Sequence, residues 1–132
     1  MISRRFALAA ALGLALVACN TPRESPPVAR HAVFFAPDSA ALDEPARQLI
    51  RGMSDEIRTE RATEILLEAF ANRTDAGVEN RVLADQRAVT ITRALEAAGV
   101  DPKMIRIVVI GAAQRIGPSA LEGRRVDVTL RR

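Results

Sequence analysis

The chain has 132 residues, which is enough for one domain with its own core. Its single cysteine excludes an intramolecular disulfide, so the fold depends on its core rather than on a covalent crosslink. The sequence has no tryptophan or tyrosine and only four phenylalanines, which leaves few rings on which nucleic-acid bases could stack. The formal net charge of +3 is also small. Composition therefore argues against nucleic-acid binding.

The N-terminal segment has the basic start and apolar run of a secretory signal. Arg4 and Arg5 precede the apolar residues 6–18, a run too short to span a bilayer as a helix. We predict that residues 1–18 are a signal peptide. Its removal takes away two of the 19 basic residues and none of the 16 acidic ones, so 17 basic residues remain and the net charge falls to +1.

The end of this segment, Leu16–Cys19, resembles the lipobox of bacterial lipoproteins. The resemblance implies cleavage before Cys19 and attachment of lipid, palmitate included, to that residue, which anchors the protein at a membrane. The alternative is an ordinary signal peptide followed by an incidental cysteine. Asn20 stands where an aspartate commonly retains such proteins in the inner membrane, so we expect the periplasmic face of the outer membrane.

Residues 19–32 are rich in proline and lack periodicity, which predicts a semi-extended tether. Fully stretched, residues 20–32 reach roughly 40 Å at about 3.3 Å per residue. The only histidine, His31, lies in this segment, and we interpret it as a solvated linker residue rather than a metal ligand or catalytic base. The folded domain is then expected to occupy residues 33–132.

The first half of this domain contains the patterns of a strand, a helix and a second strand. Residues 33–35 are apolar and form a short predicted strand. Asp43 is a good N-cap, and the apolar spacing after it predicts a helix that ends near Thr59. Ile65–Phe70 then alternates with a period of two, which is typical of a strand that is at least half buried.

A polar turn over residues 71–77 separates this strand from a second amphipathic helix. Arg87 lies on the apolar stripe of that helix, between Leu83 and Ile91. We expect its guanidinium to emerge at the rim of the core beside the turn, where it can reach an anion. The alternative is a side chain that extends to water or pairs with a nearby aspartate.

The second half of the domain ends in two predicted strands. Gly99 and Pro102 mark the end of the second helix. Residues 105–110 are an almost unbroken β-branched run, which predicts a strand that is central in its sheet or covered on both faces. Apolar and polar residues alternate from Arg125 to Leu130, which predicts a final, half-exposed strand. The predicted order is β-α-β-α-β-β, an α+β fold with two helices packed on a small mixed sheet.

Three stretches resemble the OmpA-like peptidoglycan-binding domain, over about residues 33–131 in all. Val33–Leu42 is similar to the family's opening strand and its Phe-x-x-(Asp/Asn)-Ser-Ala-x-Leu pattern, and Arg124–Val128 is similar to its closing Asn-Arg-Arg-Val-Glu-Ile strand. Between them, Ile65–Arg87 keeps the spacing of the family's core motif without gaps. The resemblance implies an OmpA-like sandwich.

In that family an aspartate and an arginine of the core motif hold the ammonium and the carboxylate of the diaminopimelate side chain in the peptidoglycan stem peptide. Arg87 matches the arginine, Asn80 matches the motif's asparagine, and Asn72 stands where the aspartate belongs. An amide oxygen still accepts a bond from an ammonium, but without the charge-assisted part of the interaction. The resemblance thus predicts a shallow pocket lined by Asn72, Asn80 and Arg87, with Asp38 at its edge.

The favoured interpretation is a lipid-anchored envelope protein that binds peptidoglycan non-covalently and needs no cofactor or metal. The alternative is a domain that has kept the fold, has lost or weakened wall recognition, and acts through contacts with other envelope proteins. An enzyme, such as a glycosidase with paired carboxylates, is disfavoured because no nucleophile, histidine or metal-ligand spacing accompanies the acidic residues near the turn. Those acidic residues are Asp38, Glu68, Asp75 and Glu79.

Overall fold

The computed structural model of the protein describes residues 26–71, 77–111 and 122–132. Within them the elements are β1 (Pro27–Phe34), α1 (Glu44–Thr59), β2 (Glu64–Phe70), α2 (Gly77–Ala97), β3 (Ile105–Gly111) and β4 (Arg125–Arg131). The predicted order of strands and helices is confirmed. The predicted signal peptide, Cys19, Asn72 and Asp75 lie outside the described residues.

The four strands form one mixed sheet in the order β1-β4-β2-β3. Strand β4 pairs antiparallel with both β1 and β2, whereas β2 and β3 are parallel. Leu67 of β2 lies between Val128 of β4 and Ile107 of β3 in the register. The two helices pack on one face of this sheet, which confirms the α+β class.

The sheet corrects the position predicted for β3. Strand β3 lies at an edge of the sheet, and Ile107, Val108 and Ile110 are each 39% or more exposed. Strand β4, predicted to be half exposed, lies between β1 and β2, and the side chains that it turns toward the helices are at most 1% exposed. A β-branched run indicates a strand but carries no information about the number of its neighbours, so the prediction for residues 105–110 was wrong.

Strand β1 begins at Pro27, and the strand predicted from Val33 is therefore longer than expected. Residues of the predicted tether pair with β4, from Pro27 opposite Arg131 onward. His31 is half buried, with its Nε2 2.5 Å from Oε2 of Glu56 in α1, so it is not a solvated linker residue. The backbone bonds come from a partner almost 100 residues away in sequence, which the local composition does not reveal.

The helices begin and end much as predicted. The Asp43 carboxylate caps α1 by accepting a hydrogen bond from the Ala46 N–H at 2.9 Å, and the helix ends at Thr59. After α2, Gly99 has a φ of 92°, a left-handed conformation that glycine adopts without strain at a helix end. No helix in the described part of the chain is long and apolar enough to cross a membrane.

The core lies between the helices and the sheet. Both helices and three strands contribute to it, and most of its side chains are aliphatic. Its most completely buried members, at 2% exposure or less, are Val33, Ile50, Met53, Ile65, Leu67, Ala69, Ala71, Ala84, Ala88, Ile91, Leu95, Val126, Val128 and Leu130.

Candidate functional site

Arg87 is the largest fully buried side chain of the described residues, with 1% of its surface exposed. Its predicted position on the apolar stripe of α2 is confirmed, but its guanidinium does not emerge at the rim of the core. A buried guanidinium is stable only where hydrogen-bond acceptors replace water. The surroundings of Arg87 supply such acceptors.

The guanidinium of Arg87 donates four hydrogen bonds to main-chain carbonyls. Its Nε bonds Ser39 O at 2.9 Å, its Nη1 bonds Phe70 O at 3.0 Å and Gly123 O at 3.2 Å, and its Nη2 bonds Ala36 O at 3.3 Å. These acceptors belong to the loop between β1 and α1, the end of β2 and the turn before β4. One side chain therefore ties together three segments that are far apart in sequence.

The charge of Arg87 is further influenced by three neighbours. Its Cζ lies 5.2 Å from the centre of the Phe35 ring, a favourable distance for a cation–π contact. Burial lowers the pKa of Arg87, the positive charge of Arg124 lowers it further, and the carboxylate of Asp38 raises it. Arginine nevertheless stays protonated in proteins, so the site holds a buried positive charge.

The other predicted site residues differ from Arg87 and from one another in their position. Asp38 lies exposed in the loop between β1 and α1, with a left-handed φ of 54°, and its charge acts on Arg87. Asn80 is 1% exposed in the first turns of α2. Asn72 lies outside the described residues.

Arg124 is a site residue that the sequence analysis did not select. It is half buried in the turn Glu122–Arg124, where its carbonyl accepts a bond from Phe35 N at 2.7 Å. Its Nε is buried and has no hydrogen-bond partner among the described residues. The sequence does contain a signal for Arg124, because it is the first arginine of the Arg-Arg pair in the closing motif. It precedes β4 and so lies outside the alternation of that strand.

The buried guanidinium of Arg87 is therefore close enough to the guanidinium of Arg124 and to the carboxylate of Asp38 to interact with their charges. Two positive charges in a partly dry environment attract an anion, because low dielectric strengthens the interaction. A carboxylate or phosphate group suits such a site. Among the described residues, no three histidine, cysteine, aspartate or glutamate side chains converge as a metal site.

A mixed sheet covered by two helices, with loops tied to a buried arginine at one end, defines an α+β domain of the OmpA-like type. The chain belongs to the OmpA family, whose family model matches residues 34–128. Domains of this family are structural and binding domains rather than enzymes. No curated protein matches the sequence significantly.

Solved structures share the fold at low sequence identity. The OmpA-like domain of FopA1 from Francisella tularensis is 19% identical with a TM-score of 0.70, covering 76% of this chain and 70% of that one. The peptidoglycan-associated lipoprotein from Burkholderia pseudomallei is 20% identical with a TM-score of 0.68, covering 76% and 89%. The C-terminal domain of MotB from Helicobacter pylori is 23% identical with a TM-score of 0.65, covering 77% and 84%.

Proposed function

We propose that the protein is a lipid-anchored envelope protein that binds peptidoglycan non-covalently through the diaminopimelate side chain of the stem peptide. The observation that carries the proposal is the neighbouring pair formed by the buried Arg87 and the half-buried Arg124 in an OmpA-family domain. Two similar structures, a peptidoglycan-associated lipoprotein and a periplasmic domain of MotB, come from the cell envelope and support it.

In this proposal the ligand's carboxylate meets the positive charges of Arg87 and Arg124. Arg87 reaches it by exchanging its longest hydrogen bond, the 3.3 Å bond from Nη2 to Ala36 O, for one to the carboxylate. A charged acceptor forms a stronger bond than a carbonyl, which favours the exchange. Asp38 and Asn72 are assigned to the ligand's ammonium, and the buried Asn80 supports the start of α2.

The direction of β1 supports an anchor at Cys19. The seven residues between Cys19 and Pro27 reach at most about 25 Å. Strand β1 then leads away from the tether for eight residues, or about 26 Å, to Phe35 and Ala36 beside Arg87. The candidate site thus lies at the end of the domain opposite to the point where the proposed tether enters, on the side that would face the wall.

Co-sedimentation of the purified mature protein with diaminopimelate-containing peptidoglycan tests this function. We expect the wild-type protein to bind and Asn72→Asp to bind more tightly, because aspartate restores a negative charge opposite the ligand's ammonium. The gain should shrink as salt is raised, since the pocket is only partly shielded from ions.

The control is a wall whose stem peptides contain lysine, which lacks the second carboxylate. Equal binding to both walls would contradict the proposal that the domain recognises the diaminopimelate side chain. Should neither wild type nor Asn72→Asp bind any wall while both melt normally, the domain would instead act through protein contacts in the envelope.

A further inference from the structure

Strand β3 lies at an edge of the sheet and has few features that would prevent it from pairing with a strand of another chain. It has one charged residue, Arg106, and its only register irregularity lies beyond Val109. The opposite edge, β1, begins with Pro27, contains a bulge and carries Arg30. Edge strands that lack charges, proline and bulges offer free N–H and C=O groups to another strand. The β3 edge, defined as residues 105–111, is therefore the more open of the two.

The side chains of the β3 edge are apolar on both faces. Ile107 lies on the helix side at 39% exposure, and Val108 lies on the outer face of the sheet at 45%. Ile110, at the register irregularity, is 40% exposed. Together they make up three of the five large apolar side chains exposed in the described residues. Such clustering on one strand is characteristic of an interaction surface.

An unbalanced carboxylate lies next to this edge. Glu68 of β2 lies between Asp127 of β4 and Val108 of β3 in one row across the outer face. Carboxylates directly opposite each other destabilise a sheet. Arg125 compensates Asp127, with Nε 2.8 Å from Oδ1, but among the described residues no cation pairs with Glu68. A cation from a second chain bound at the β3 edge would therefore stabilise the carboxylate of Glu68.

We propose that the β3 edge pairs antiparallel with the β3 edge of a second copy of this chain, about a two-fold axis centred on Ile107. The two four-stranded sheets then form one sheet of eight strands. A two-fold axis makes each contact occur twice, so one self-complementary strand is sufficient. This interface is separate from the rim around Arg87 and does not depend on the proposed function.

Charge selects this register. Centring the pair on Ile107 places Arg106 of the partner subunit opposite Val108, in the row that contains Glu68. Two strand spacings, about 10 Å, then separate the backbones of the two charged residues, which their extended side chains can span across Val108. Centring on Val108 would instead place the partner's Arg106 opposite Ile110. Arg106 is available because its present bond to Glu64, at 3.1 Å, is an exposed surface pair that is readily exchanged.

Sedimentation velocity of the mature chain with Cys19 replaced by serine tests the interface over a range of concentrations, in buffer without peptidoglycan. We expect a monomer–dimer equilibrium that Val108→Lys weakens at least tenfold, because it places an ammonium opposite the positive charge of Arg106 of the partner subunit. The matched control is Val82→Lys, which changes an exposed valine of α2 in the same way and should leave association unchanged. Glu68→Lys should weaken the dimer, and Glu68→Lys with Arg106→Glu should restore it.

Crosslinking tests the register. In antiparallel pairs, opposing Cα atoms lie about 4.5 to 5.5 Å apart, within reach of a disulfide. With Cys19 replaced by serine, Ile107→Cys should form a disulfide-linked dimer under mild oxidation, and Val82→Cys should not. A wild-type chain that stays monomeric at all concentrations overturns the proposal, as do equal crosslinking at both positions and equal effects of the two lysine substitutions.

Discussion

At the scale of single residues, Arg87 is unusual because it is a charged side chain that is buried and also stabilises the fold. It is a charge at the centre of a folded domain, and it makes the hydrogen bonds that hold the rim of that domain in place. Its neighbours along α2 are small: Ala84 and Ala88 are completely buried. Arg87 therefore contributes to stability whether or not a ligand is bound.

We expect Arg87→Ala to lower the free energy of unfolding by about 3 to 5 kcal/mol, because four carbonyls lose their donor and a cavity remains. Arg87→Lys should cost less, since an ammonium keeps the charge but lacks the planar fork. Urea denaturation followed by circular dichroism measures both. Arg81→Ala, at an exposed position of the same helix, is the control and should change stability by at most about 0.5 kcal/mol. Equal losses in the two alanine variants would contradict the role of Arg87.

Arg124 should affect binding more than stability. We expect Arg124→Gln to weaken peptidoglycan binding about tenfold, which corresponds to about 1.4 kcal/mol, with a small change in melting temperature. Arg125→Gln is the neighbouring control, because its guanidinium lies over Phe70 and beside Asp127 on the other face of β4. Co-sedimentation at two salt concentrations measures both variants. A larger loss of binding in Arg125→Gln would assign the anion to another surface.

At the scale of elements, β1 is the strand whose extent differs most from the prediction. The sequence predicted residues 27–32 to be part of a tether, but they pair with β4, the inner strand next to β1. His31 adds a contact from β1 to α1 through Glu56. Without this part of β1, the outer edge of β4 would lose most of its hydrogen-bond partners.

We therefore predict that a chain beginning at Val33 is unstable, whereas one beginning at Pro26 folds with a melting temperature close to that of the mature protein. The shorter chain keeps the whole region from which the domain was predicted but lacks six of the eight residues of β1. Thermal melts followed by circular dichroism compare the two. Equal melting temperatures would show that the pairing of residues 27–32 contributes nothing to stability.

At the scale of the whole molecule, the proposed anchor and the candidate site lie at opposite ends of β1. Lipid on Cys19 would then hold one end of the domain near a membrane while the rim around Arg87 points away from it. The β3 edge lies at the far side of the sheet from β1. Anchoring, wall binding and self-association can thus proceed on three separate parts of one small domain.

The anchor makes a further prediction. Cys19→Ser should move the protein from the membrane fraction to the soluble fraction or leave its signal uncleaved, because the lipid-accepting thiol is absent. Fractionation and mass spectrometry of the N-terminus provide the measurement. A wild-type N-terminus that begins beyond residue 19 without modification would rule out lipid anchoring.

The sequence by itself determined the order of the elements, the limits of α1 and the position of Arg87 on a buried stripe. These features depend on interactions within a few residues, such as the bond from Asp43 to Ala46 and the repeat of apolar side chains along a helix. The family also followed from the spacing of short motifs, as the match over residues 34–128 confirms.

The tertiary structure alone decided which strands lie in the centre of the sheet, where β1 begins and where the guanidinium of Arg87 points. Each of these depends on groups that are distant in the chain. The acceptors of Arg87 are 17 to 51 residues away, and β1 pairs with the last strand of the chain. A local pattern shows which residues prefer to be buried, but only the packed domain determines which backbone groups meet them.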